Sequence, residues 1–408
     1  MVFRKEDEMK FFEKGELKLL WPFYLEQLIS PMLLFVPVFM IVYFRNLGLN
    51  LFQAGLIMAM IPLFSLIFEI PTGAVADLYG RKLSVLLSFA LLGIGYFMLF
   101  FFTNFYVLLI IFAFLGFAAT FYSGAREAWA VDIIKKNNKK LIHNYFSKLQ
   151  GLGNFGLVIS GFLGAFLVKA FGLSIIWPAA GISYFIAFFL LMLAKEEHIK
   201  IRTNFSQSFD NLKKQAKISI KYSYNHPVIL YFLIASAVFV NFAMNLNVGL
   251  SWIPLLKGLT LPDYAFGYIW SAMAVIGILS SIASHKLLKK GKERSFIIKA
   301  ILLTALFSLL VIFAKDLFFA IAILMLTSFF ITIKMPAERV YFHRFIPSKL
   351  RATIGSVEGM LLSVIGIISM PIAGLLVDSI GAYYTIFLSG IILIPAAIIF
   401  YKIKESKR

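Results

Sequence analysis

A few polar side chains interrupt the long apolar stretches of this sequence, and they are the groups that could do chemistry. Glu26 lies in the first such stretch, with Gln27 beside it and Ser30 one helical turn further on. Burying an ionisable group in a segment of membrane length is costly, so its presence there indicates function. A carboxyl group in such surroundings suits the binding and release of a proton. An ion pair with a cation of the fourth or tenth stretch explains Glu26 equally well, and Gln27 is a candidate ligand-binding residue.

Amides and aromatic rings form the second set of candidates. Asn241 and Asn245 are one helical turn apart near the middle of the seventh apolar stretch, and Asn154 lies in the fifth. Amides at mid-span rarely face lipid, so they either bond one helix to another or contact a solute. We expect the solute for Asn241 and Asn245. Tyr122 and Trp270 could add aromatic walls, although rings in so aromatic a chain more often serve packing.

The composition excludes several kinds of site. The chain has no cysteine and five scattered histidines, which excludes disulfides, thiol catalysis and cysteine-ligated metal and leaves no spacing suited to a metal site. No paired carboxylates or nucleotide-binding loop is evident. We therefore expect no cofactor, no bound metal and no enzymatic activity.

The elements that position these residues are membrane-spanning helices. The chain has 408 residues, of which 61% are hydrophobic and 14% charged, too apolar for a soluble protein of this size. A span needs about 20 mostly apolar residues, and on that criterion the sequence predicts an all-α protein with twelve spans. Nearly all of the 39 Lys and Arg residues fall in or beside loops on one side. This distribution follows the positive-inside rule, so we expect both termini in the cytoplasm and no nucleic-acid partner.

The turn between the second and third spans carries a distinctive pattern, Gly73-x-x-x-Asp77-x-x-Gly80-Arg81-Lys82. Gly73 lets another helix approach closely, and Gly80 permits the positive φ of a tight reversal. Arg81 and Lys82 hold the turn on the cytoplasmic side. Asp77 can pair with Arg81 or face the positive end of another helix. The plainer interpretation is a basic turn that only sets orientation.

This pattern resembles the loop signature of major facilitator superfamily transporters, which joins their second and third helices. The resemblance implies two six-helix bundles related by a pseudo-twofold axis, with a central cavity lined by helices one, four, seven and ten. It also implies that Asp77 acts as a latch between the bundles in the outward-open state, and that Asp132 pairs with Arg81.

An internal repeat supports two bundles. Arg126-Glu127, at the end of the fourth span, recurs 212 positions later as Glu338-Arg339, with the order of charge reversed. Brought together by the pseudo-twofold axis, the two pairs would meet with complementary signs, as expected of parallel repeats that gate a transporter. The predicted domains are residues 1–194 and 228–408, joined by a cytoplasmic linker, 195–227.

The function expected from this family is secondary transport of a small organic solute across the cell membrane by alternating access. We expect protons as the coupling ion, a monomer in the lipid bilayer, and efflux of the drug/proton antiporter type. The fifth span lacks the proline of antiporters in the family, and Pro371 stands in the eleventh instead, which weakens the case for antiport. The alternatives are proton-coupled uptake of a nutrient or metabolite, a lipid or lipid-linked substrate, or a receptor that does not transport.

Overall fold

The computed structural model describes residues 12–13, 15–137, 139, 141–196, 214, 217–218, 220–346 and 351–403. Within these residues, twelve helices are long and apolar enough to cross a membrane, which confirms the predicted fold class. In chain order they are α1 (Glu16–Asn46), α2 (Leu51–Tyr79), α3 (Arg81–Phe101), α4 (Phe105–Asn137), α5 (Asn144–Phe171), α6 (Leu173–Met192), α7 (Pro227–Gly258), α8 (Asp263–Leu287), α9 (Glu293–Phe313), α10 (Leu317–Phe345), α11 (Ile354–Ile380) and α12 (Ala382–Lys402).

Helices α1–α6 form the N-terminal half and α7–α12 the C-terminal half. Most of the predicted linker, namely 197–213 with 215, 216 and 219, lies outside the described residues. The division into domains at 194 and 228 stays a prediction.

The two halves repeat a short basic turn. Gly80 is the single residue between α2 and α3 and has a φ of 102°, while Gly291, in the turn between α8 and α9, has a φ of 82°. Both angles lie in the region that favours glycine. We call the end of the molecule that carries these turns the basic face and the other end the opposite face.

On the opposite face, polar side chains cap the N-termini of several helices. Asn50 accepts a hydrogen bond from the backbone N–H of Gln53 at 2.8 Å, and Asn104 accepts one from Tyr106 at 2.9 Å. Asp316 caps α10 in the same way. These caps satisfy backbone donors that a helix start leaves unpaired, so each loop ends at a defined residue.

Close backbone packing joins the two halves. A Cβ atom added to Gly374 of α11 would overlap the backbone of Leu51 in α2, and one added to Gly267 of α8 would overlap Gly161 in α5. Small residues allow this approach where apolar burial gives no driving force in lipid. The pairs α2–α11 and α5–α8 therefore form the interface between the halves.

Two of the inner helices are irregular. Helix α1 is interrupted between Leu33 and Val36, and α7 contains two π-helical stretches, Ile234–Val240 and Asn245–Gly249. Such π-helical turns occur frequently at functional sites. The second one presents the fully buried Asn247.

Asn247 fixes this irregular segment within the C-terminal half. Its amide donates to Ser308 of α9 at 2.9 Å and to Ser389 of α12 at 2.8 Å, and its oxygen accepts from the indole of Trp252 at 2.7 Å. A buried network in which each group finds a partner specifies one arrangement of its helices. The irregular part of α7 is thus held to α9 and α12.

Candidate functional site

A buried ion pair between α1 and α4 is the centre of the candidate site. The Nε of Arg126 donates to Glu26 at 3.0 Å, and its Nη2 donates both to Glu26 and, at 2.8 Å, to the side-chain oxygen of Gln27. The side chains of Glu26 and Arg126 are only 8% and 13% exposed. Of the two interpretations of Glu26, the ion pair with a cation of the fourth span is therefore observed. Proton binding by Glu26 stays a prediction.

A cavity of about 300 Å³ adjoins this pair in the N-terminal half. Its volume is at the lower end of the range for small-molecule sites. Besides the pair it is lined by Gln27, Ser30, Pro31, Leu34, Phe89, Tyr122, Ser183, Tyr184 and Ala187. The predicted solute-binding residues Gln27 and Tyr122 thus lie beside Glu26.

A second cavity, of about 390 Å³, lies in the C-terminal half. It is lined by Phe232, Ser236, Val240, Asn241, Met244, Ile331, Lys334, Met335, Glu338, Arg339, Phe342, Glu358 and Leu362. Lys334 and Glu338 stand 212 positions after Tyr122 and Arg126, so the two cavities occupy equivalent places in the two halves.

The charges of the second cavity are paired within the C-terminal half. Lys334 contacts Glu338 at 2.6 Å, and the Nη1 of Arg339 contacts Glu358 at 3.2 Å. Ser236 donates to the other oxygen of Glu338 at 3.4 Å. The predicted pairs Arg126-Glu127 and Glu338-Arg339 do not meet across the halves among the described residues, where Arg126, Glu338 and Arg339 each pair within their own half.

Asn241 lines the second cavity, whereas three other predicted solute-binding residues line neither cavity. Asn245 donates to Asn241 at 3.2 Å and to Ser369 at 2.7 Å, which is the helix-to-helix alternative. Asn154 accepts from Gln150 at 3.2 Å. Neither Asn154, Asn245 nor Trp270 lines either of these two cavities.

At the basic face, the predicted turn is tied to its own half. Arg81 pairs with Asp132 and donates to the carbonyl of Ala128 at 3.0 Å. Lys82 donates to the last carbonyl of α6, Met192, at 2.8 Å and to that of Ala194, just beyond the helix, at 2.7 Å. These bonds fix the α2–α3 turn against α4 and α6.

The C-terminal half has an equivalent clamp that sequence reasoning missed. Arg344 contacts Glu293 at 2.6 Å, and these residues stand 212 positions after Asp132 and Arg81 with the signs reversed. The repeat offset already applied to Arg126 could have identified this pair.

The remaining predicted gating residues make no such contact. Among the described residues, Asp77 and Glu127 form no hydrogen bond or ion pair, and Glu127 is exposed. Gly73 lies within α2. The latch at Asp77 is therefore not formed in this structure and stays a prediction for the other state.

The two halves are joined at the opposite face instead. The backbone N–H of Phe52 in α2 donates to Asp378 of α11 at 2.8 Å. Asn46 donates to Asp263 at 3.3 Å, and Asp263 in turn pairs with Lys257 at 2.8 Å. None of these contacts was predicted from the sequence.

The apolar cores follow the same division. One buried cluster joins the N-terminal half to the opposite-face part of the C-terminal half, including Leu256, Phe266 and Val377. The basic-face part of the C-terminal half has a separate cluster around Phe232 and Phe342. Among the described residues, the halves therefore share a core only toward the opposite face.

No group of three or more His, Cys, Asp or Glu side chains suited to a metal ion occurs within the part of the chain that the structure describes. The charged groups of the two cavities are instead matched acid and base pairs.

Comparison with known proteins gives the same fold. The chain resembles an uncharacterised MFS-type transporter of Methanocaldococcus jannaschii, with 23% identity over 263 residues that cover 61% of this chain and 67% of the relative. Among solved structures it is similar to the nucleoside transporter NupG, in a variant form, with a TM-score of 0.75, 12% identity and coverage of 94% and 100% of the two chains.

It is also similar to a bacterial homologue of the iron transporter ferroportin. The inward-facing state of that protein gives a TM-score of 0.71 at 16% identity, covering 95% of this chain and 98% of the other. The outward-facing state gives 0.58 at 15% identity, covering 94% and 98%.

The sequence model of the Major Facilitator Superfamily matches residues 25–301, more than half of the chain. With its twelve spans and two equivalent halves, the chain is a multi-pass membrane transporter that belongs to the Major Facilitator Superfamily.

Proposed function

We propose that this protein carries a small polar organic solute by alternating access and that Glu26 couples the movement to protons. The observation that carries the proposal is the buried Glu26–Arg126 pair at the edge of a cavity. Removing one partner of a buried pair costs about 3–5 kcal/mol, because the other charge is left alone. When a proton neutralises Glu26, the charge of Arg126 therefore loses its partner, and Arg126 needs another anion to bind.

The contacts between the halves support an assignment to one state of the cycle. The hydrogen bonds at Asp378 and Asp263 close the opposite face, while the charged pairs of the basic face each stay within one half. With the basic face in the cytoplasm, as the charge distribution predicts, this is the inward-facing state. The higher TM-score to the inward-facing ferroportin homologue agrees with this assignment.

The pair also bears on the direction of transport. Antiport with efflux, as predicted from the sequence, needs a solute that competes with the proton for Glu26. Here the tethered guanidinium of Arg126 already occupies that position, so a cationic drug would have to displace it. Uptake of a solute together with a proton needs no such displacement, and we propose this alternative.

The nucleoside and iron cargoes of the structural relatives are not carried over to this chain. The lining of the two cavities includes paired charges, hydroxyls and two amides, Gln27 and Asn241, which could bind the polar groups of a metabolite.

Purified protein in proteoliposomes tests the proposal. A screen of metabolites for counterflow identifies a cargo, and its accumulation is then measured with and without an inwardly directed proton gradient. Accumulation that rises with the gradient in the wild type and loses this dependence in Glu26→Gln supports the proposal. Transport with unchanged pH dependence in Glu26→Gln removes Glu26 from the mechanism.

A further inference from the structure

The guanidinium of Arg126 has one nitrogen without a partner. Arginine has five N–H donors. The Nε and Nη2 groups of Arg126 are engaged by Glu26 and Gln27, whereas its Nη1 has no acceptor among the described residues. Nη1 is not among the fully buried atoms that lack a partner, and Arg126 lines the adjoining cavity. This nitrogen is therefore accessible and can donate to an acceptor on a ligand.

The adjoining cavity is lined by hydroxyl groups, which can donate to a ligand, in addition to Arg126. The hydroxyl of Ser30 is buried and has no partner there, and Tyr122 and Tyr184 line the same space. Ser183 donates to the backbone oxygen of Ser30 at 2.8 Å. The one carboxylate of the lining, Glu26, is already bound by Arg126. A ligand that fits this lining brings acceptor oxygens of its own.

The charge of the lining limits the ligand further. Glu26 and Arg126 are its only ionised groups, so the lining is neutral when Glu26 is ionised and carries a single positive charge when Glu26 is protonated. Nη2 is already used by Glu26 and Gln27, so Nη1 alone is free, and it can donate a charge-assisted hydrogen bond to one carboxylate. A doubly charged phosphate would leave a negative charge unpaired.

We infer that the cargo is a small solute with a single carboxylate, which binds the free Nη1 group of Arg126 and is carried together with a proton on Glu26. This inference rests on the proposed function of the same cavity and names its substrate class. The other titratable groups facing the pair are Tyr122 and Glu127 of α4, Tyr145 of α5 and Tyr184 of α6.

Thermal stabilisation of the purified full-length protein measures this binding without any gradient. The probes are propionate, benzoate and alanine as single carboxylates, with succinate, inorganic phosphate, glucose and uridine for comparison, each at mildly acidic and mildly alkaline pH. We expect a single carboxylate to raise the melting temperature, and to bind more tightly at the acidic pH. Stabilisation by alanine but by neither of the simple acids identifies a zwitterionic cargo and still supports the carboxylate site.

Two variants assign the binding to Arg126. Arg126→Lys keeps the charge but loses the planar fork, so affinity for the carboxylate should fall about tenfold or more. The double variant Glu26→Gln with Arg126→Gln leaves no lone buried charge and should abolish binding.

The matched control is the double variant Glu16→Gln with Lys148→Gln. It removes another buried pair that joins α1 to α5, with an N–O distance of 2.6 Å, outside the cavity. Carboxylate binding should survive in this control.

Three results would overturn the inference: no stabilisation by any single carboxylate, equal stabilisation of the Glu26/Arg126 double variant, or stabilisation by uncharged probes only. Failure of the proposed function is recognised separately. Carboxylate binding that depends on Arg126 without proton-driven flux would contradict the proposed proton coupling and leave only the carboxylate site standing. Proton-driven flux of glucose or uridine without carboxylate binding would contradict the carboxylate inference and leave the proposed function standing.

Discussion

Removing the carboxylate of Asp378 should shift the protein away from the state described here. Asp378 accepts a hydrogen bond of 2.8 Å from the first turn of α2, at the backbone N–H of Phe52. The bond crosses from one half to the other, so it exists only while the opposite face is closed. A variant that lacks it loses stability in this state and not in the state where the face is open.

The magnitude follows from the kind of bond and its exposure. A hydrogen bond to a charged group contributes about 1.5–3 kcal/mol, but Asp378 is exposed, and a carboxylate at an exposed helix start contributes about 0.3–1 kcal/mol. We therefore expect Asp378→Ala to cost the closed state about 1 kcal/mol. This corresponds to about a fivefold larger ratio of open to closed molecules.

Electron–electron double resonance measures that ratio directly. The chain has no cysteine, so labels can be introduced without background at Phe171 of the N-terminal half and Tyr384 of the C-terminal half, both well exposed near the opposite face. The long-distance population should rise in Asp378→Ala.

The matched control is Asp316→Ala. Asp316 also accepts a hydrogen bond from the start of a helix, at the backbone N–H of Phe319 and 2.9 Å, but both residues belong to the same half. It should lower the melting temperature without moving the distance distribution. An unchanged distribution in Asp378→Ala, or an equal shift in both variants, would refute the reasoning.

Three further predictions, one of them with a control substitution, concern the helix packing and the ion-pair clamp. Asp132→Asn removes a partly exposed ion pair worth about 0.2–1 kcal/mol, so transport should fall while the melting temperature barely changes; a large thermal loss would show that the clamp is needed for folding. Gly267→Val forces a side chain against α5 and should lower the free energy of unfolding by about 1–3 kcal/mol. The control Gly277→Val lies on the same helix but has open space around it, so its melting temperature should equal that of the wild type. Asn247→Leu leaves the indole of Trp252 buried without a partner and should lower the free energy of unfolding by roughly 1–3 kcal/mol, which denaturant titration in detergent would detect; an unchanged midpoint would contradict this.

The fold could be predicted because it depends on features that each segment of the sequence carries by itself. Apolar length defines the spans, and basic residues mark one face, as at Arg81 and Lys82. The repeat offset of 212 then relates the halves and locates Glu338 opposite Arg126. None of these arguments needs the orientation of a side chain.

The contacts of the site depend on orientation and on conformational state, so they could be predicted only in part. Glu26 was compatible with a free proton-binding carboxyl or with an ion pair, because one sequence does not say which way a side chain on α4 points. Asn245 bonds to Ser369 rather than lining a cavity. In the sequence, Asp378 is an acid near the end of a helix like many others. Its contact with the start of α2 becomes evident only in the structure.

Proton movement driven by the solute tests the central claim most directly. Proteoliposomes loaded with a pH-sensitive dye receive an inward gradient of a transported carboxylate, without any imposed pH gradient. We predict internal acidification with the wild type, and none with Glu26→Gln, which should still exchange the labelled solute across the membrane. Carboxylate entry through the wild type with no change in internal pH would contradict coupling at the Glu26–Arg126 pair.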